Sequence, residues 1–312
     1  MPEVLLIKDY LEQQAEWAAA FQGFDIEVRD WKAHGMREAA AEIDYALVWH
    51  PEPGALARLP NLKLIFSLGA GIDHLTGDGR VPPGVPVIRM VEETLTAGMT
   101  EYVLYQVLRF HRAMPEYEHN QRRRLWRELP QIPARRRRVG ILGLGVLGGA
   151  AATALVSLGF DVAGWSRTEK RLAGVTSCAG NRQLPAFLAR TDILVCLLPL
   201  TPETACIINA ANLAQLPQGA FVINAGRGGH CVEADLLAAL DSGHLAGAAL
   251  DVFPSEPLPQ HSPLWRHPRV SITPHAASKT LPASSARHVI DNITRFRAGR
   301  AVGPLADFAR GY

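Results

Sequence analysis

The run Gly143-Leu144-Gly145-Val146-Leu147-Gly148 constrains the fold of this chain more than any other segment. It follows Val139-Gly140-Ile141-Leu142, which reads as a strand, and it opens an Ala- and Leu-rich helical stretch, Ala150 to Leu158. In that frame the first glycine permits a tight turn, the second leaves room for a pyrophosphate, and the third lets helix and strand pack closely. The N–H groups at the start of the helix then face the anion. Such a turn belongs to a βαβ unit, so the flanking sequence should alternate strands and helices.

It does. Phe160 to Trp165, Ile193 to Leu197, Ala220 to Ile223, Ala246 to Leu250 and Val270 to Ile272 read as further strands of a doubly wound parallel sheet. Upstream, Val4 to Ile7, Ile26 to Val28, Tyr45 to Val48 and Leu64 to Ser67 read as short strands, with a helix over Leu11 to Phe21 and turns at Gly69 to Gly71 and Val81 to Gly84. At 312 residues the chain exceeds the usual size of one domain. The pattern therefore predicts an α/β protein of two Rossmann-like or flavodoxin-like domains, each on a parallel sheet, with a cleft between them. A helical stripe over Thr96 to Met114, and a second helical segment carrying Tyr117, Leu125 and Trp126, should link them. The last helix, about Pro282 to Arg297, returns the chain to the first domain and makes it discontinuous. The expected division is 1–98 with 287–312 as a substrate-binding domain and 99–286 as a nucleotide-binding domain.

Hydrophobic residues at 48%, charged residues at 20% and a net charge of +2 exert no strong pull toward nucleic acid or membrane. The basic runs Arg122 to Arg124 and Arg135 to Arg138 read as solvated faces. The amino terminus carries Glu3 where a signal peptide is basic, and no apolar stretch approaches the roughly 18 residues of a membrane span. The expected location is the cytoplasm. Cys178, Cys196, Cys206 and Cys231 form no C-x-x-C pair and read as free thiols, and no histidine pair has H-E-x-x-H spacing, so no metal site is expected.

Three residues past strand-like runs carry the chemistry: Arg227, Glu256 and His275. Strand ends are where open parallel sheets build their sites. An arginine that forks onto a carboxylate, a histidine that delivers a proton and an acid that favours the charged histidine together suit reduction of a 2-oxo acid. Flexible glycines on both sides, Gly226 and Gly228, should place Arg227, and the small pair Ala225-Gly226 should loosen its turn slightly. Where an acidic residue would hold the ribose of NAD, the chain has Ser166-Arg167-Thr168, a set that suits a 2′-phosphate and so NADP(H).

These motifs, with Val48-Trp49-His50-Pro51, Ser67 to Asp73, Glu233 to Leu240, Pro263 to Val270 and the terminal Ala309 to Tyr312, resemble the D-isomer-specific 2-hydroxyacid dehydrogenases almost end to end. The nearest branch is the one that reduces glyoxylate and hydroxypyruvate. The resemblance implies that Arg227, Glu256 and His275 are catalytic, and that Leu68, Gly69, Ala70 and Gly71 hold the substrate carboxylate through backbone amides. It implies that Trp49 walls a pocket for small substrates, which Arg227 and His275 also line. The cofactor set it implies is Gly143, Gly145, Val146, Leu147, Gly148, Ser166, Arg167, Thr168, Leu198, Pro199 and Asp251, with Asp251 on the nicotinamide amide. It also implies a homodimer paired through the linking helices and a closing motion hinged near Gly98 and Ser284. Two alternatives stand beside this reading: an NAD(H)-preferring dehydrogenase of another D-2-hydroxy acid, and a non-enzymatic nucleotide-sensing regulator on the same fold.

Overall fold

The computed structural model describes residues 2–9, 13–32, 40–76 and 81–311. The chain divides into two compact units, Met1–Leu95 with Lys279–Tyr312, and Thr96–Ser278. Both are built on parallel sheets.

In the first unit, β1 (Glu3–Lys8), α1 (Gln14–Ala20), β2 (Ile26–Asp30), β3 (Ile43–Val48), β4 (Leu64–Ser67) and β5 (Val87–Ile88) give a sheet of order β2-β1-β3-β4-β5. Parallel strands covered on both faces read as continuous apolar runs, and Val4 to Ile7 are all buried accordingly. Alternate residues part between two layers: Leu5, Ile7, Tyr45, Leu47 and Phe66 into one, Val4, Leu6, Ala46, Val48 and Ile65 into the other. Leu11, where the helix was expected to begin, lies outside the described residues; α1 is seen from Gln14. The two-residue β5 is too short for periodicity to reveal.

In chain order there follow α2 (Glu93–His111), α3 (Met114–Arg122), β6 (Arg138–Leu142), α4 (Val146–Ser157), β7 (Asp161–Ser166), β8 (Val175–Ala179), α5 (Leu184–Ala189), β9 (Ile193–Cys196), α6 (Ala210–Leu213), β10 (Ala220–Asn224), α7 (Glu233–Asp241), β11 (Leu245–Leu250) and β12 (Val270–Ile272). The sheet order is β12-β11-β10-β9-β6-β7-β8, so the winding reverses between β6 and β9. A reversal of that kind opens a crevice beyond the strand ends. One layer of core packs Ile141, Val195 and Ile223 against Ala151, Ala152 and Leu155 of α4; the other packs Leu194 and Val222 against Leu236 and Leu240 of α7.

Leu125 and Trp126 were expected in the second linking helix, but α3 stops at Arg122 and Arg124 turns the chain with φ +56°. Both side chains are exposed. The edge strand β8 escaped the sequence reading because Val-Thr-Ser-Cys-Ala is half-exposed and lacks an apolar run. The final helix, α8 (Pro282–Arg297), lies whole in the first unit, placing Ala286, Val289 and Ile293 in the layer that holds Leu5 and Tyr45. A boundary at 286 would cut that apolar stripe; the division falls at Ser278/Lys279 and, earlier, at Leu95/Thr96. Among the described residues no helix is long and apolar enough to cross a membrane.

Candidate active site

The glycine turn sits at the reversal between β6 and β9. Gly143 has φ +103°, and a Cβ there would stand 2.8 Å from the Leu197 carbonyl oxygen. At Gly148 a Cβ would come within 1.8 Å of the Gly143 oxygen, so helix and turn touch backbone to backbone. Gly145 faces open space within 4 Å. No side chain caps the start of α4, which leaves the N–H groups of its first turn, at Val146 and Leu147, to an outside anion. Leu198 is buried beside the turn, and the Pro199 carbonyl accepts from Thr204 Oγ1 at 2.7 Å and His230 Nε2 at 3.2 Å. The residues present therefore fit a dinucleotide pyrophosphate. At the end of β7 the buried Ser166 hydroxyl donates to the Thr168 carbonyl at 2.8 Å, closing its own turn. Arg167 and Thr168 are exposed.

Arg227 lies past the end of β10 in a turn clamped by side chains. Asn224, fully buried, accepts from Gly226 N at 3.2 Å and donates to the Arg227 carbonyl at 3.1 Å. The ring of buried His230 accepts at Nδ1 from Arg227 N at 3.0 Å, so its proton sits on Nε2 and goes to Pro199 O. The flanking glycines were expected to lend flexibility, but they serve close packing. A Cβ on Gly228 would stand 1.8 Å from the Phe253 carbonyl carbon, and one on Gly226 would be 3.1 Å from the His230 ring. Neither has a positive φ, and Ala225 is buried, so the turn is tight where the sequence reading expected it loosened.

That close approach brings Arg227 to Glu256. Glu256 Oε1 accepts from Phe253 N at 2.9 Å, and Oε2 accepts from His275 Nδ1 at 2.7 Å. Burial pushes the Glu256 carboxyl up, yet the hydrogen bonds from His275 and Phe253 and the charges of His275 and Arg227 outweigh it and hold the carboxyl below its ordinary range. With Nδ1 on the Glu256 carboxylate, the other ring nitrogen, Nε2, points away from that acid.

His275 has φ +50°, a left-handed conformation that costs a non-glycine residue about 1–3 kcal/mol. Its own N–H donates to Asp251 O at 2.7 Å and Thr273 O at 3.1 Å. Asp251, 1% exposed, accepts at Oδ1 from Thr273 Oγ1 (2.6 Å) and Ala276 N (2.8 Å), and at Oδ2 from Ala277 N (3.0 Å). A carboxylate has roughly four acceptor sites. Three are spent on the His275 turn.

In the first unit, the loop Leu68 to Gly71 has every carbonyl turned to a protein donor. Leu68 O accepts from Thr280 Oγ1, Ala70 O from Arg89 Nε at 2.9 Å, and Gly69 O and Gly71 O from Ser67 Oγ at 2.9 and 3.1 Å. Among the described residues no acceptor meets Ala70 N or Gly71 N. Ser67 is itself fixed by His74, which accepts from His50 N at Nδ1 (3.2 Å) and donates from Nε2 to Ser67 Oγ (2.9 Å). Trp49 packs tilted against His74 with ring centroids 4.4 Å apart, and its ring fills the place a Gly69 side chain would need, 2.7 Å from that Cβ.

Residues 104–277 match the family model of the D-isomer specific 2-hydroxyacid dehydrogenase NAD binding domain. The chain is 45% identical over 290 residues to glyoxylate/hydroxypyruvate reductase A of Yersinia enterocolitica, covering 91% of each. It belongs to the D-isomer-specific 2-hydroxyacid dehydrogenase family. Among solved structures, a family member from Xanthobacter autotrophicus Py2 in complex with NADPH and MES matches with TM-score 0.93 at 44% identity, over 100% of both chains. An NADPH-dependent glyoxylate/hydroxypyruvate reductase from Sinorhizobium meliloti, in complex with NADP and sulfate, matches with TM-score 0.92 at 44% identity over 99% of both.

In this family member the structure brings Arg227, Glu256, His275 and Asp251 together in the unit that carries the glycine turn, and it places Trp49 with Leu68 to Gly71 in the other. The sequence reading missed Asn224, His230, Ser67, His74 and Thr273, which position those groups. The signal for each was a polar residue ending an apolar strand or directly following a quoted motif.

Proposed function

We propose that this dehydrogenase is an NADPH-dependent reductase of small 2-oxo acids, turning glyoxylate into glycolate and hydroxypyruvate into D-glycerate. The observation that carries it is the 2.7 Å bond from His275 Nδ1 to Glu256 with Arg227 beside the same carboxylate, in the unit whose glycine turn fits a dinucleotide. NADPH held by Gly143 to Gly148, Leu198, Pro199 and the Ser166-Arg167-Thr168 turn would supply the hydride.

Arg227 pairs with the substrate carboxylate and polarises the carbonyl oxygen. His275 delivers its Nε2 proton to that oxygen, and Glu256 stabilises the imidazolium and keeps Nδ1 turned inward. Ala70 N and Gly71 N, whose carbonyls are held by Arg89 and Ser67, hold the carboxylate by backbone N–H groups. Trp49 limits the size of the substrate. In this reading Met1–Leu95 with Lys279–Tyr312 serves the substrate and Thr96–Ser278 the nucleotide, with hinges near Gly98 and Ser284.

The relatives with bound NADPH or NADP support the cofactor preference. One observation favours a weaker preference, with NADH as a competent second donor: the Ser166 hydroxyl spends its hydrogen on Thr168 O, leaving Arg167 and Thr168 to meet a 2′-phosphate. Steady-state rates with NADPH and NADH, each against glyoxylate, hydroxypyruvate and bulkier 2-oxo acids, test both points. Faster turnover of the two small acids with NADPH is expected. Equal rates with both cofactors would remove the Arg167 argument, and absence of turnover with every pair would overturn the reductase reading.

The enzyme works in the cytoplasm as a homodimer without nucleic acid. Exposed Tyr105 and Leu108 on α2, Met114 on α3, and Leu125 and Trp126 beyond it support pairing through these helices, and four free cysteines suit a reducing compartment. Light scattering should give twice the chain mass for the wild type and a lower mass for Trp126→Asp.

A further inference from the structure

We propose that Tyr102 and Thr273 are positioning residues for His275, acting through Asp251. The direction of each hydrogen bond follows from chemistry. Asp251 is a carboxylate and accepts only, so the single hydroxyl hydrogen of Thr273 goes to Asp251 Oδ1 at 2.6 Å. The 3.0 Å contact between Tyr102 Oη and Thr273 Oγ1 is then donated by Tyr102. Burial lifts the Tyr102 hydroxyl to about 12, so it keeps its hydrogen. The result is a one-way chain from α2 through Tyr102, Thr273 and Asp251 to the turn that holds His275 at φ +50°. Asp251 closes it with its carbonyl on His275 N and its carboxylate on Ala276 N and Ala277 N.

The helix is tied to this strand twice. Arg109 Nη1 donates to Ser271 Oγ at 3.1 Å; Ser271 and Thr273 lie two apart on one side of the strand line, and Tyr102 and Arg109 lie seven apart on one face of α2. Two ties in register fix the strand end from which His275 projects. Glu256 and Arg227 set the charge around the imidazole; the Tyr102–Thr273–Asp251 chain sets where the imidazole is.

The test uses the full chain with Thr273→Val, Thr273→Ser, Tyr102→Phe and the double variant Tyr102→Phe/Thr273→Val. Two readouts are taken: kcat and KM with NADPH and glyoxylate, and the Nδ1 resonance of His275 in 15N-histidine spectra of the cofactor-free protein. Thr273→Val should lower kcat about tenfold with KM little changed, because a displaced proton donor loses rate and not binding. Its Nδ1 resonance should broaden and move from the hydrogen-bonded position. Thr273→Ser should restore both, Tyr102→Phe should shift both in the same direction by less, and the double variant should equal Thr273→Val, since that change already severs the chain.

A Thr273→Val enzyme that melts earlier yet keeps the wild-type resonance and kcat would overturn the proposal and leave the hydroxyls a packing role. Should Thr273→Val not fold, Tyr102→Phe decides by the same two readouts. The kinetic arm rests on the reductase reading; a wild type without turnover defeats that reading, while the resonance still tests this one.

Discussion

Two turns in this molecule, each just past a parallel strand end, hold a histidine, and they use it in opposite ways. In the first unit His74 is 3% exposed, takes a backbone N–H at Nδ1 and gives its Nε2 hydrogen to Ser67. Both nitrogens are spent, and an acceptor role at Nδ1 requires the neutral ring. In the second unit the His275 side chain is 33% exposed and meets a carboxylate at Nδ1, 2.7 Å from Glu256 Oε2. His230 follows the pattern of His74, with Arg227 N on Nδ1 and Pro199 O on Nε2. The difference lies in the partner: His74 and His230 meet backbone donors at Nδ1, and His275 meets a carboxylate there.

The sharpest way to break that contrast is to replace the two rings. His275→Asn should lower kcat by about a thousandfold, the usual worth of a positioned proton donor, while His74→Asn should leave kcat within a few fold and raise KM for the 2-oxo acid. Comparable losses of kcat in both variants would erase the distinction. Next in size, Glu256→Gln should cost roughly a hundredfold in kcat by removing the charge that stabilises the imidazolium. Smaller again, Ser67→Ala should raise KM for glyoxylate several-fold with kcat nearly unchanged, because it releases the Gly71 carbonyl and lets the loop amides drift. Unchanged KM would mean that the loop needs no such brace.

The smallest effect concerns stability in acid. Burial raises the Glu3 carboxyl, but hydrogen bonds from Lys63, Tyr45 and Arg297 prevail and bring it to about 2 from 4.5. The folded state therefore gains stability above pH 4.5, and loses it as pH falls through about 2. Acid unfolding followed by circular dichroism should show Glu3→Gln less stable than wild type at neutral pH, with the difference closing toward pH 2. A constant difference across that range would show that the carboxylate contributes by shape alone.

Much of this was legible from residue order. Strands buried on both faces announce themselves as unbroken runs such as Val4-Leu5-Leu6-Ile7 and Ile193-Leu194-Val195-Cys196, and the glycine turn announces the crevice. Arg227, Glu256 and His275 stood out because titratable residues past such runs are unusual. The edge strand β8 and the end of α3 at Arg122 were not legible, since one lacks apolar periodicity and the other depends on a left-handed residue at Arg124. Gly228 looked like a flexible hinge in sequence. Only its approach to Phe253, 25 residues away, reveals a packing glycine.

Local order along the chain thus determined the α/β alternation, the glycine turn and the choice of candidate reacting groups, because apolar period, glycine spacing and side-chain chemistry are properties of neighbours in sequence. What the tertiary structure decided was the partners of each polar group: that His74 and His230 brace their turns through both ring nitrogens, that Asp251 points inward to the His275 turn, and that Tyr102 meets Thr273. Those outcomes depend on partners 24, 31, 25 and 171 residues away, and hydrogen-bond direction is fixed only when both ends are in place.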